Sequence, residues 1–143
     1  MLTKFQSHIN ENLPFLKKKK LLLATSGGID SMVLLHLCHQ LELDIRVAHC
    51  NFQLRGDESD KDEDFVKSQT EKLQIPIFIK KFDTKRNAEK EKSSIQVVAR
   101  NLRYEWFNTL LINNDYDYIL TAHHLDDSLE TFLINFTRGS GLD

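Results

Sequence analysis

The stretch Ser26-Gly27-Gly28-Ile29-Asp30-Ser31 follows directly on the apolar run Leu21–Thr25. Glycines at 27 and 28 let the backbone approach a ligand and take positive φ. Ser26 and Ser31 add hydroxyl donors. A helix opening at Ile29 aims its free amides into the same turn. Such a turn binds phosphate. Asp30 would repel phosphate unless a cation stood between them, and magnesium bridging its carboxylate to phosphate oxygens meets that need. No lysine follows the glycines, so this is not the Gly-Lys-Ser/Thr nucleotide loop, and the Gly-x-Gly-x-x-Gly spacing is absent. The competing explanation is a plain strand-to-helix turn with Asp30 in the favourable first helical turn.

Other reactive types gather at three further places. His49 and Asn51 end a second apolar run, with Arg55 just beyond. Their alternative role is a strand-end hydrogen bond. Arg100, Arg103 and Tyr104 stand at i, i+3 and i+4, neighbours on a helix; guanidinium groups there suit phosphate or a base, and an ordinary ion pair of Arg103 with Glu105 or Asp127 is the alternative. His123, His124, Asp126 and Asp127 follow a fourth apolar run, where a His and a carboxylate could orient a nucleophile or accept its proton. The alternative gives Asp127 a helix cap and one His a packing role. Lys17–Lys20 reads as a solvated connector. Cys38, Trp106 and Phe107 read as core.

These residues need elements to hold them, and the pattern supplies alternating strands and helices. Leu21–Thr25 is a short continuous apolar run, as in a strand buried on both faces. Ile29–Leu43 suits a largely buried helix, with Leu2–Asn12 a further helix in front. Asp44–Asn51 is a second strand. Asp57–Gln74 is helical, its early acids facing the positive end of the helix dipole. Ile75–Phe82 is a third strand, with Pro76 tolerated near its start. Asp83–Lys92 is polar and reads as an exposed loop. Ser93 and Gln96 form a capping box before a helix reaching about Ile112, with Ile95, Val98, Leu102, Trp106 and Leu110 on its apolar stripe. A fourth strand ends near Thr121, and Asp127 and Glu130 look like the start of a helix running through Ser128–Arg138. The alternation predicts an α/β fold, a doubly wound parallel sheet with helices on both faces. Ligands in such sheets bind beyond the carboxyl ends of the strands, where the four groups of reactive residues lie.

Composition narrows the classes. At 143 residues, 41% hydrophobic and 28% charged, the chain suits one soluble globular domain. A net charge of −2 gives no general attraction to nucleic acid, so RNA binding would need a local basic patch. Cys38 and Cys50 make neither a metal spacing nor a disulfide framework and suit reduced thiols in a cytosolic protein. No apolar run approaches the roughly 20 residues of a membrane span. The closing Gly139-Ser140-Gly141 looks like the middle of a loop, so a piece of a longer protein is expected.

The string SGGIDS resembles the S-G-G-x-D-S signature of the PP-loop ATP pyrophosphatases, which split ATP to pyrophosphate and AMP and adenylate a substrate oxygen. Three more segments resemble one branch of that group, the tRNA(Ile)-lysidine synthetase family. They are HCNFQLRGDESDKDEDFV from His49, ARNLRYEWF from Ala99, and TAHHLDDSLETFLINFTRGSGL from Thr121. The likeness runs from about Leu21 to Leu142. It departs at Gln53, where the family often has a second His; Gln53 is read as a supporting residue. The resemblance implies a Rossmann-like, adenine nucleotide alpha hydrolase-like fold, with residues 1–143 as the N-terminal catalytic domain and C-terminal tRNA-binding domains outside it.

It also implies a reaction. ATP, with Mg2+, adenylates the C2 oxygen of the wobble cytidine in a tRNA(Ile) with a CAU anticodon, and L-lysine displaces AMP to form lysidine. Ser26, Gly27, Gly28, Ile29, Asp30, Ser31, His49 and Asn51 would then bind ATP. Asp30 would hold magnesium. Asp30, Arg100, His123 and Asp127 would be catalytic, and Arg55, Arg103 and His124 would touch substrate or tRNA. A homodimer of the whole protein and a cytoplasmic location are implied with them. Two other classes compete: another PP-loop enzyme, such as a tRNA thiolase or amide-forming synthetase, and a non-enzymatic nucleotide sensor. Cytidine thiolases usually carry paired C-x-x-C cysteines, which Cys38 and Cys50 do not make. A sensor could dispense with most of Asp30, Arg100, His123 and Asp127.

Overall fold

The computed structural model describes the backbone of residues 2–125 and 132–138, and side chains over 2–122. Helix α1 (Leu2–Asn12) and a 3₁₀ turn (Pro14–Lys18) lead into strand β1 (Leu21–Ala24). Then come α2 (Ile29–Gln40), β2 (Ile45–Asn51), α3 (Asp57–Leu73) and β3 (Ile77–Lys81). Helices α4 (Thr84–Glu91) and α5 (Ile95–Asn113) precede β4 (Tyr118–Leu125) and β5 (Phe132–Arg138). The sheet order is β3-β2-β1-β4-β5. The first three neighbouring pairs are parallel and β4–β5 is antiparallel.

Burial on β1 shows how the sheet is covered. Leu21 and Leu23 point into one core, with Phe5, Ile9 and Leu16 from the N-terminal segment and Leu34, Leu35 and Cys38 of α2. Leu22 points the other way, into a core built with Ala48 and with Phe107, Leu110 and Leu111 of α5. Period-two alternation thus feeds helices on both faces, as a doubly wound sheet requires. Strand order reverses at β1, between β2 and β4, and this switch point is where open α/β sheets take ligands.

Three expectations are corrected. Residues 83–92 are not a loop. Asp83 caps α4, its carboxylate accepting from the Arg86 amide, and Thr84 and Ala88, one turn apart, are buried. Two small contact residues are enough to seat a short helix whose other positions stay polar. The cap of α5 is Ser94, not Ser93, its Oγ accepting from Val97 N at 3.2 Å; the apolar side of α5 is accordingly Val98, Phe107, Leu110 and Leu111, while Ile95 is exposed. The third concerns Ser128–Arg138. Residues 132–138 form an edge strand against β4, not a helix. FLINFTR is rich in aromatic and β-branched residues that favour strands, and β4 offers it a free edge.

Candidate functional site

The turn after β1 is built by its own hydroxyls. Thr25 N donates to Ala48 O and ends the pairing with β2. Gly27 takes φ +98°, closed to most side chains, and a Cβ there would sit 3.4 Å from both Asp62 Cβ and Val66 Cγ2 of α3. Ser31 Oγ accepts from the Gly27 amide at 3.1 Å and donates to the Gly28 carbonyl at 3.0 Å. Ser26 Oγ accepts from the Gly28 amide at 3.2 Å. Gly28 caps α2 with no side-chain bond of its own. The first helical bond is Met32 N to Gly28 O, so the amides of Ile29, Asp30 and Ser31 have no intrahelical acceptor. These three donors stand at the positive end of a twelve-residue helix, an arrangement that suits an anion. The Ile29 side chain is 81% exposed; only its amide serves the turn.

Two small lobes, of about 140 and 150 Å³, open beside the turn at the strand ends. Ser26, Cys50 and Phe52 line both and form the wall between them. Thr25, Ser31, Arg103, Phe107 and Thr121 complete the first. His49, Asn51, Arg55, Ser59 and Asp62 belong to the second. Each lobe carries a buried polar atom without a partner: Arg103 Nε in the first and His49 Nε2 in the second. Such atoms are costly unless something fills their bonding capacity. His49 is 2% exposed, and its Nδ1 lies 2.8 Å from the Thr25 carbonyl oxygen. A carbonyl only accepts, so Nδ1 carries a proton and Nε2 is the free position.

The predicted residues divide. Ser26, Ser31 and His49 line the cleft, whereas Gly27 and Ile29 line a separate groove and Gly28 and Asp30 line neither. Asn51 is committed to structure: its Nδ2 donates to Asp60 at 3.0 Å and Glu63 at 3.2 Å, and its Oδ1 accepts from Gln53 N. This is the strand-end alternative. Gln53 supports, donating to the Phe82 carbonyl at 3.0 Å and so tying the ends of β2 and β3. Arg55 pairs with Asp62 at the rim of the second lobe. Arg103 lines the first lobe, whereas Arg100 is exposed and lines neither. Both guanidiniums lie over the Tyr104 ring, at 5.1 Å for Arg103 and 5.7 Å for Arg100. Among the described residues Arg103 has no ion pair, so the alternative of a pair with Glu105 does not hold, and Asp127 lies outside the described residues. The side chains of His123 and His124, and Asp126 and Asp127 altogether, lie outside the described residues. Sequence reasoning missed Cys50, Phe52 and Thr121 as lining; their signal is position at strand ends, not residue type. Burial pushes the Cys50 thiol up to about 12, despite the nearby positive charges of Arg103 and Lys80. It is a wall, not a nucleophile.

No group of three or more His, Cys, Asp or Glu able to hold a metal occurs among the described residues. Magnesium is nonetheless compatible, because it takes one or two carboxylates and fills the rest of its shell with phosphate oxygens and water. Asp30, half-buried in the first turn of α2, is one such carboxylate. A larger groove of about 430 Å³, lined by Met32, Val33, Leu37 and Phe65, shares only Gly27 and Ile29 with the turn. Its lining is mostly apolar, with His36 the one titratable side chain in it.

A glycine turn at the switch point, with free amides and a carboxylate in the first turn of the following helix and a polar cleft beside it, is an arrangement that suits a nucleotide-binding α/β domain. The chain matches the PP-loop domain over residues 1–143 and belongs to that ATP-binding family. Among curated proteins it is 43% identical to the tRNA(Ile)-lysidine synthase of Bacteroides thetaiotaomicron over 135 residues, which is 94% of this chain and 32% of that one. It is 41% identical to the enzyme of the same name from Porphyromonas gingivalis, covering 99% of this chain and 32% of the relative. The Chlorobaculum tepidum protein of that name is 47% identical over 125 residues, 85% of this chain and 38% of its own length. The chain thus spans about a third of the length of these relatives. No helix among the described residues is long and apolar enough to cross a membrane.

Proposed function

We propose that this chain is the ATP-binding catalytic domain of an enzyme that joins lysine to the wobble cytidine of a tRNA(Ile) with a CAU anticodon. The observation that carries the reading is the Gly27 turn, which leaves three amides at the start of α2 without an intrahelical acceptor and sets Ser26 and Ser31 on the lining of the cleft. In the first step the cytidine C2 oxygen attacks the α-phosphorus of ATP. An O–P bond forms and pyrophosphate leaves. The amides of Ile29, Asp30 and Ser31 are fixed donors placed for that leaving charge, and donors already oriented need no reorganisation as the charge develops. Magnesium bound at Asp30 would neutralise phosphate charge during the transfer. Arg103, with an unpartnered Nε in the first lobe, is the arginine best placed to meet the nucleotide. His49 offers its free Nε2 to a ribose or base group in the second lobe. In the second step the lysine amine forms the N–C2 bond, the C2–O bond breaks and AMP departs with the oxygen. His123 and Asp127 are proposed to accept the amine's proton, with Arg100, Arg55 and His124 as outer contacts. The whole protein would act in the cytoplasm as a homodimer, with tRNA-binding domains beyond this chain.

The test is pyrophosphate release from ATP and magnesium, with the full-length parent and this chain side by side. Lysine and a CAU-anticodon tRNA(Ile) transcript are each omitted in turn. Release by the parent that requires this tRNA is expected. Release indifferent to tRNA would leave an ATP-binding PP-loop domain with another acceptor.

A further inference from the structure

Charge on this chain is strongly segregated. Between Lys80 and Arg103 there are eight basic and three acidic residues, although the whole chain carries −2. The acids lie elsewhere: α3 alone holds seven acidic and three basic residues. Lys81 is taken up by Asp60 and Glu63 at the α3 side, whereas Lys80, Lys85, Arg86, Lys90, Lys92 and Arg100 are exposed and make no ion pair among the described residues. Arg86 and Lys90 stand at i, i+4 on α4, a like-charge spacing that works against the helix. Lys90, in the last turn, suits the helix dipole, but Lys85 and Arg86 in the first turn oppose it, so helix stability does not explain those two. Helix α4 packs against α5 and buries Thr84 and Ala88, while its basic residues are exposed. On α5, Tyr104 is 39% exposed, with both guanidiniums over its ring. The face joins the cleft through Arg103, which lines the first lobe and lies over the Tyr104 ring, and through Lys80, the register partner of Cys50 on β3.

We propose that the outer face of α4, the Arg100–Tyr104 segment of α5 and Lys80 form an RNA-docking surface. The cations hold phosphates, and Tyr104 offers a stacking platform for an unpaired base next to the first lobe. The choice of RNA rests on the function proposed above. The choice of face rests on charge complementarity, on an aromatic set among arginines, as single-stranded RNA prefers, and on continuity with the cleft.

The test is fluorescence anisotropy of a labelled CAU-anticodon tRNA(Ile) transcript with this chain over a series of salt concentrations. The triple variant Arg86→Gln, Lys90→Gln, Lys92→Gln should bind at least tenfold more weakly. Its log affinity should fall less steeply with log salt, by about 2 in slope for three lost phosphate contacts. Tyr104→Ala should weaken binding about fivefold or more with the slope unchanged, because stacking releases no counterions. A control with the same charge change, Lys4→Gln, Lys17→Gln, Lys18→Gln, should bind like the wild type. Circular dichroism checks that each variant is folded. Equal losses in the triple variant and the control would overturn the surface, since net charge alone would then matter. So would wild-type binding to duplex DNA or anionic phospholipid vesicles as tight as to the transcript. The two readings fail separately. A parent enzyme without tRNA-dependent pyrophosphate release removes the ligase and leaves a measured RNA face; a turning-over parent whose domain binds RNA equally with and without these cations removes only the face.

Discussion

The two glycines of the turn do different work. Gly27 needs its missing Cβ twice over: φ is +98°, and α3 stands at contact distance on that side. Gly28 has an ordinary extended backbone as the cap of α2, and a Cβ there meets only Ser26 Oγ at 3.5 Å. Gly27→Ala should therefore cost about 1–3 kcal/mol of stability from backbone strain and weaken ATP binding, because the Gly27 amide bonded to Ser31 must shift. Gly28→Ala should leave stability nearly unchanged. Urea unfolding of both variants, with titration of a fluorescent ATP analogue, checks the contrast. Equal losses would mean that the turn is not held by Gly27 in the way described. The arginines make the same point about residue type. Arg100 and Arg103 look alike in sequence, but one turn of α5 separates an exposed guanidinium from one whose Nε is buried in the cleft.

Among the elements, the start of α5 offers a sharp case. Ser93 and Ser94 are adjacent, and only Ser94 accepts from the helix, at Val97 N. Ser94→Ala should cost about 1 kcal/mol, and Ser93→Ala, whose Oγ only donates to Glu91 O at 3.4 Å, should be close to neutral. Denaturation midpoints of the two variants decide it, and a Ser93 effect as large as that of Ser94 would contradict the cap. A serine cap was readable from residue type, but the capping box of Ser93 with Gln96 does not form: Ser94 caps, and the residue three on is Val97, which cannot bond back. Strands β1 to β3 were plain in the sequence because buried parallel strands are continuous apolar runs; only their ends moved by one or two residues. Helix α4 was hidden because it buries just Thr84 and Ala88, too little to leave an apolar period. Strand β5 was hidden because its apolar run fits either period, and pairing with β4 decides. The glycine turn between β1 and α2 could be read because it is local, six residues in a row. The lobes could not, since they join the end of β1 to residues about 25 and 80 positions away.

Across the whole molecule, the sheet separates two cores, and each holds a thiol out of water. Cys38 is buried in the core of α1, α2 and α3, and Cys50 packs against the core of α5. Burial raises both thiols above their ordinary value of 9.0, Cys50 to about 12. Burial also raises Tyr116, with Asp44 reinforcing the shift and Arg46 opposing it. All three groups are neutral when protonated, so in alkali the folded chain holds protons that the unfolded chain releases. The sign follows from linkage: stability is full below about pH 9 and falls as pH rises toward the folded values. Each thiol contributes a slope of about 1.4 kcal/mol per pH unit within that window. Urea unfolding at pH 8, 9.5 and 10.5 should therefore show a midpoint that drops steeply above 9. Cys50→Ser, at a half-buried wall position, should flatten the profile while leaving the pH 8 midpoint within about 1 kcal/mol of the wild type. A profile equally steep in Cys50→Ser and wild type would show that this thiol reaches water, and hence that the wall between the lobes opens in solution. A flattened profile would support a closed wall, and with it two separate lobes for the two parts of a nucleotide.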